Sequence, residues 1–285
     1  MVGMPTSEYL AAYKDEGRGV KEYLLNMPIE AKRNLWRVLD NHVMEGMLLP
    51  YDYLNRGCAH SLLRMLEEGL DTISIQYAPW PEKYKLTRRE LTGLQMKNDA
   101  WNWCFLNLIC NGEIDRKCSP KDKVIMPKDL IEVLTNAQIQ GKSLITKKPI
   151  ILLQSNTHEK TSWITPQLLA VTILLLTIAC FLLRSPVMDY ILLLIQSILG
   201  IITIYLICCS NLVCTEWSWL IIPFNPLPLL FWKWRKEWCM YYAIIITIWI
   251  ISMILWPHTL TDNTYIIIAL SILVSYIRMK HSLTR

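Results

Sequence analysis

The second half of this chain has almost no charge. Residues 163–285 hold 7 Lys and Arg and 4 Asp and Glu, whereas residues 1–162 hold 22 and 20. A segment so poor in charge does not make a water-facing surface, and the natural division is a soluble domain over 1–160 followed by a membrane domain over 161–285. Metal spacing is missing too. Cys104, Cys110 and Cys118 match no zinc pattern and have no histidine beside them, so no metal site and no cofactor is expected. They leave open a disulfide if the domain faces an oxidising space. The formal net charge of +5 is small and dispersed, which argues against nucleic acid as a partner. The opening MVGMPTSEYLAAYKDEGRG has no apolar h-region of the length a secretory signal needs. The first domain is therefore expected to be cytosolic, or else the natural start lies upstream.

What is present begins with helices. Ser7 caps a segment to Glu16 with Gly17 as its stop. A second helix from Pro28 carries Ile29, Leu35, Trp36, Leu39 and Val43 at helical spacing. A third runs from Cys58 to Glu68 with Leu62, Met65 and Leu66 as its buried stripe and Gly69 as a left-handed cap. Further helices are expected over Leu86–Cys110 and Pro127–Gln140. Short strands are expected in DTISIQYAPW and KKPIILLQSN.

In the second half, Ile164–Leu183, Tyr190–Thr215, Trp238–Trp256 and Thr264–Ile277 are uncharged runs that read as spans. Between the second and third lies WSWLIIPFNPLPLLFW, Trp217–Trp232, where Pro223, Pro226 and Pro228 break any helix. It crosses as a broken helix or turns back as a re-entrant hairpin. If it crosses, there are five spans, and Arg184, Lys233, Arg235, Lys236, Arg278, Lys280 and Arg285 all fall on one side, opposite the soluble domain. If it does not, there are four spans, and six of those seven share the soluble domain's side. Lys147, Lys148 and Lys160 favour the second arrangement. Trp217, Trp219, Trp232, Trp234 and Trp238 read as interfacial anchors. The Asn225-Pro226 step can line a polar pocket within the membrane.

Cys58 is the sharpest chemical feature. A thiol at the head of a helix meets the positive end of the helix dipole and free backbone N–H groups. Gly57 before it permits close approach of a substrate carbonyl. The alternative is a buried packing cysteine. A thiol nucleophile needs a base, and residues 1–162 offer only His42, His60 and His158. His60 is two residues on and faces another side of the helix. His42 reads as a solvated terminal residue, and His158 lies in the linker before the first span. Asp52, Glu67 and Glu68 read as solvated or capping charges, and Asp99–Phe105 as a core aromatic stripe.

Four segments, in order, carry a family resemblance: YKDEGRGVKEYLLNMP, YDYLNRGCAHSLLRML, MPKDLIEVL and FNPLPLL. Together they resemble bacterial membrane proteins with an Lnb-type N-terminal periplasmic domain, the lipoprotein N-acyltransferase family. The resemblance implies an α+β papain-like thiol domain of permuted order, mostly helical here, followed by 4–5 transmembrane spans in the bacterial inner membrane. It implies that Cys58 takes an acyl chain as a thioester and passes it to the N-terminal amine of a lipoprotein, so that membrane lipid and a lipoprotein substrate are the partners. It also implies a histidine strand and a signal peptide upstream of the residues given, so that the chain reads as truncated or as a divergent member, lacking its general base and inactive as a fragment. Gly57 stands where many relatives have asparagine. The competing expectation is a non-enzymatic multi-pass membrane protein whose helical domain binds a partner.

Overall fold

The computed structural model describes every residue except 1–3, 46–53, 55, 72, 79–85, 97, 111, 119–123, 147, 156–162, 216–217, 232–234, 256–261 and 284–285. Asp52, Lys147, Lys160, His158, Trp217, Trp232, Lys233, Trp234 and Arg285 lie outside the described residues.

The chain is mostly helical. In order its elements are α1 (Thr6–Asp15), β1 (Val20–Glu22), α2 (Ile29–Met44), α3 (Cys58–Leu70), α4 (Arg88–Gln95), α5 (Ala100–Ile109), α6 (Pro127–Thr135), β2 (Gln138–Ile139), β3 (Lys142–Ser143), β4 (Ile150–Leu153), α7 (Pro166–Leu182), α8 (Val187–Cys209), α9 (Leu227–Leu230), α10 (Arg235–Leu255) and α11 (Asn263–Leu283). They fall into two compact units, Met1–Arg88 with Lys117–Lys160, and Arg89–Arg116 with Thr161–Arg285. The sequence places 89–116 with the first domain. In the structure this excursion belongs to the second unit, so the chain passes between the units three times.

In the first unit α2 and α3 pack along each other. Gly69 lies inside α3 and is no left-handed cap; Asp71 ends the helix with φ +50°. A Cβ on Gly69 would sit 2.7 Å from the Cβ of Leu35, so glycine here makes room for the neighbouring helix. The α2 stripe divides. Leu35 and Leu39 face inward, while Ile29, Trp36 and Val43 are exposed. β1 pairs antiparallel with β4, and an isolated bridge joins Leu25 to Ile145. α6 stops at Thr135, short of Gly141, because β2 and β3 form a hairpin whose two-residue turn has positive φ at Gln140 and Gly141. The strand expected in DTISIQYAPW is a single bridge from Gln76 to Gln138.

In the second unit the expected helix Leu86–Cys110 is two helices. Asp99 caps the second, its side chain accepting from the Asn102 amide N–H. The course of the C-terminal helices follows from their bonds. Gln167 at the start of α7 donates to Asp262 just before α11, so α7 and α11 start at the same end of the bundle. Asp189, in the first turn of α8, accepts from Ser275 of α11 and pairs with Arg278 near that helix's close. α8 therefore runs against α11. Trp238 and Tyr242 of α10 stack on Tyr276 of α11, so α10 begins where α11 finishes. α8 thus ends at one end of the bundle and α10 starts at the other.

The described parts of the segment between them form short turns, Val213–Thr215, Trp219–Ile221 and α9. Gln196 holds its middle by donating to the Pro223 carbonyl at 3.0 Å. Gly200 lets it approach, since a Cβ there would lie 2.5 Å from the Cα of Asn225. Among the described residues, two helices of this unit, Val187–Cys209 and Trp238–Leu255, are long and apolar enough to cross a membrane. α7 is apolar but shorter.

Candidate functional site

The first unit holds a cavity of about 300 Å³ between α2, α3 and α6. α2 contributes Leu35 and Leu39, α3 contributes Leu62, Met65 and Leu66, and α6 contributes Leu130, Ile131 and Leu134. Among the lining residues Tyr23 alone carries a polar side-chain group. The volume is at the lower end of small-molecule sites, and the lining suits a hydrocarbon. Leu62 is half exposed, so the cavity opens to solvent along this part of α3.

Cys58 is the first residue of α3 and is exposed. Gly57 precedes it in extended backbone, φ −65° and ψ 164°, and no side chain caps the helix. The expectation of a buried packing cysteine is therefore not met at this position. At 100° per residue, Cys58, Leu62, Met65 and Leu66 fall on one stripe of α3. The thiol thus heads the row of side chains that forms one wall of the cavity.

A histidine lies on the face of α2 that packs against α3. Leu35 touches Gly69, and Leu39 lines the cavity together with Leu62, so α2 and α3 run antiparallel in that register. Leu35, Leu39 and His42 stand at i, i+4 and i+7 on one face of α2. His42 is therefore carried toward the first turns of α3, where Cys58 starts. It is half-buried, with Nδ1 enclosed and unpartnered, and is no solvated terminal residue. No hydrogen bond joins His42 to Cys58 among the described residues. His60 lies on α3 itself, off the thiol's stripe. The signal for His42 was in the sequence, as an i+7 histidine on the face of Leu35, but only the helix pairing shows what that face meets.

The other thiols do not form a second site. No disulfide joins any of the cysteines among the described residues. Cys104 donates its S–H to the Tyr265 hydroxyl at 3.5 Å, and the same hydroxyl donates to the Cys104 carbonyl at 2.9 Å. Burial pushes the Cys104 thiol pKa up, which disfavours thiolate there. Glu67 accepts from Tyr77 at 2.6 Å and is not simply a solvated charge. The Asn225 amide donates to the Ile222 carbonyl and accepts from the Leu227 N–H and the Tyr242 hydroxyl. Among the described residues no cluster of His, Cys, Asp and Glu could hold a metal.

No protein-family profile, no curated protein and no solved structure matches the chain.

Proposed function

We propose that the chain is a five-span membrane protein whose first unit is a thiol acyltransferase acting on lipid and lipoprotein substrates. One observation carries the reading: an exposed thiol at the head of an uncapped helix, on the stripe that walls an apolar cavity, with a histidine-bearing face of α2 packed against that stripe. In the proposed reaction His42 takes the Cys58 proton, and the thiolate attacks an acyl ester carbonyl. The thioester forms as the lipid alcohol leaves with a proton. A lipoprotein amine then attacks the thioester, forming the amide and returning the thiol. The acyl chain lies along Leu62, Met65 and Leu66. The α+β papain-like fold and the Lnb-type family belong to this proposal, supported by the helix-borne thiol and the β1–β4 pair.

Five spans are supported by the course of 210–215 and 218–231 along the bundle. In that arrangement Arg184, Lys233, Arg235, Lys236, Arg278, Lys280 and Arg285 gather at one end, the cytosolic one by the distribution of basic residues. The start of α7, and the soluble unit's connection to it, then face the periplasm across the inner membrane.

The test is metabolic labelling of the full chain in bacterial membranes with an alkynyl fatty acid. A label released by neutral hydroxylamine is expected, absent in Cys58→Ser, reduced in His42→Gln and retained in Cys104→Ser. An unchanged label in Cys58→Ser would sink the acyltransferase. The almost wholly apolar lining favours one second reading, a binding module that holds an apolar ligand without reacting. That reading gains if a fluorescent fatty acid binds equally well to Cys58→Ser while no covalent label appears on the unaltered chain.

A further inference from the structure

Helix α5, AWNWCFLNLI, has no charged residue over ten positions. It nonetheless buries a polar side chain and leaves large apolar ones exposed. Asn107 is fully buried, accepting from Arg89 and donating to the Trp103 carbonyl, and Arg89 is closed by Asp115. The outward side shows Phe105, 54% exposed, and Ile109, 37% exposed, beside the exposed Asn102, with Trp101 on the same stripe at i−4 from Phe105. Burying the polar groups and exposing the apolar ones costs free energy against water and gains it against hydrocarbon.

The level of α5 along the bundle is fixed. Trp101 Nε1 donates to the Ile164 carbonyl, just before α7, and Cys104 is bonded to Tyr265 in the first turn of α11. Leu108 is part of the bundle's own core. The exposed stripe of α5 is therefore continuous with Trp163, 95% exposed, with Ile164, and with the exposed Leu168 and Leu169 that open α7. Tryptophans at such a level are the usual anchors of a membrane boundary.

We propose that α5 is an interfacial helix. Phe105 and Ile109 are covered by the phospholipid acyl chains of one leaflet, at the depth where α7 and α11 begin. The occupant is lipid because the stripe continues the lipid-facing rows of the spans. The inference rests on the membrane-spanning reading of the helices, and the experiment separates the two.

The full chain is placed in nanodiscs of phosphatidylethanolamine and phosphatidylglycerol, with p-benzoylphenylalanine at one position at a time. The positions are Phe105, Ile109, the exposed mid-helix Leu175 of α7 and the exposed Lys128 of the first unit. After illumination, lipid adducts are read by peptide mass spectrometry. The proposal expects lipid adducts at 105, 109 and 175, each at least about tenfold above the yield at 128. Adducts at 175 without adducts at 105 and 109 overturn the interfacial helix and leave the spans standing. Crosslinks from 105 to a second protein chain overturn it in favour of a protein partner. Absence of adducts at 175 as well overturns the membrane reading itself.

Discussion

Arg89 lies in a two-point fork with Asp115: Nε meets Oδ1 at 2.6 Å and Nη2 meets Oδ2 at 3.1 Å. Nη2 also reaches the Cys110 carbonyl, and Nη1 reaches Asn107. One guanidinium thus ties the start of α4, the end of α5 and the turn Glu113–Asp115. Both side chains are shielded, at 5% and 14% exposure. Removing one partner leaves the other charge enclosed. Arg89→Ala or Asp115→Asn is expected to cost about 3–5 kcal/mol, and Arg89→Lys much of that, because an ammonium cannot supply the fork. Thermal unfolding in mild detergent checks this; a loss under about 1 kcal/mol would mean that the pair is solvated.

Gly200 is the position where α8 admits the broken segment. A methyl group there would lie 2.5 Å from the Cα of Asn225 and 2.9 Å from its N and carbonyl C. These are backbone atoms, which cannot swing aside as a side chain does. Gly200→Ala is expected to cost about 1–3 kcal/mol and to loosen the Gln196–Pro223 bond, seen as faster deuterium exchange over 218–231. Unaltered exchange there would place the segment elsewhere.

How much of this was legible in the sequence varies with the physics of each part. The charge-poor half announced its helices, because a long run without charge is a local property. α1 and α3 were readable for the same reason, and Gly17 ends α1 with positive φ as expected. Gly69 misled because a glycine near a helix end reads as a cap when its partner, Leu35, is more than thirty residues away. The excursion 89–116 misled because its charges suggest a soluble segment, whereas Arg89 and Asp115 spend theirs on each other. Cys58 stood out through its neighbours in the chain. His42 did not, because the face of α2 that it shares with Leu35 and Leu39 meets α3 through a helix pairing that no local pattern encodes.

Asp189 and Arg278 join α8 to α11, with side chains 4% and 12% exposed. Ser275 supports the carboxylate at 2.8 Å. Two charges enclosed together cost desolvation that their attraction offsets only as a pair. Asp189→Leu and Arg278→Leu are each expected to destabilise by about 3–5 kcal/mol, and the double substitution by less than either. A double-mutant cycle on unfolding reads this directly. Additive losses would show that the two charges do not interact.

Tyr77 gives an alkaline signature. Burial, and next its bond to Glu67, raise its pKa above the ordinary value of 10.0. The folded protein therefore holds this proton at pH values where the unfolded chain has released it. The resulting stability is whole below about pH 10 and is lost as pH climbs through the raised value. Tyr77→Phe is expected to lower stability near neutrality and to flatten its decline above pH 10. Parallel alkaline slopes in the two proteins would count against the shift.

Cys58 and Cys104 differ in a way alkylation can read site by site. Cys58 is exposed at a helix start. Cys104 is partly buried against Tyr265, and burial raises its pKa, with a smaller opposing effect from the Tyr265 hydroxyl. Thiolate is the reacting species, so a raised pKa lowers the rate at neutral pH and keeps it climbing, about tenfold per pH unit, beyond the ordinary thiol range. Iodoacetamide at pH 7.5 is therefore expected to modify Cys58 well before Cys104, as counted by peptide mass spectrometry. Tyr265→Phe removes the hydroxyl that favours thiolate but also loosens the packing around the sulfur. If the hydroxyl's effect on acidity dominates, the Cys104 rate profile moves to still higher pH. If access dominates, the rate rises at every pH without that displacement. Equal rates for Cys58 and Cys104 in the unaltered chain, with the same pH dependence, would remove the distinction on which the assignment of the reactive thiol depends.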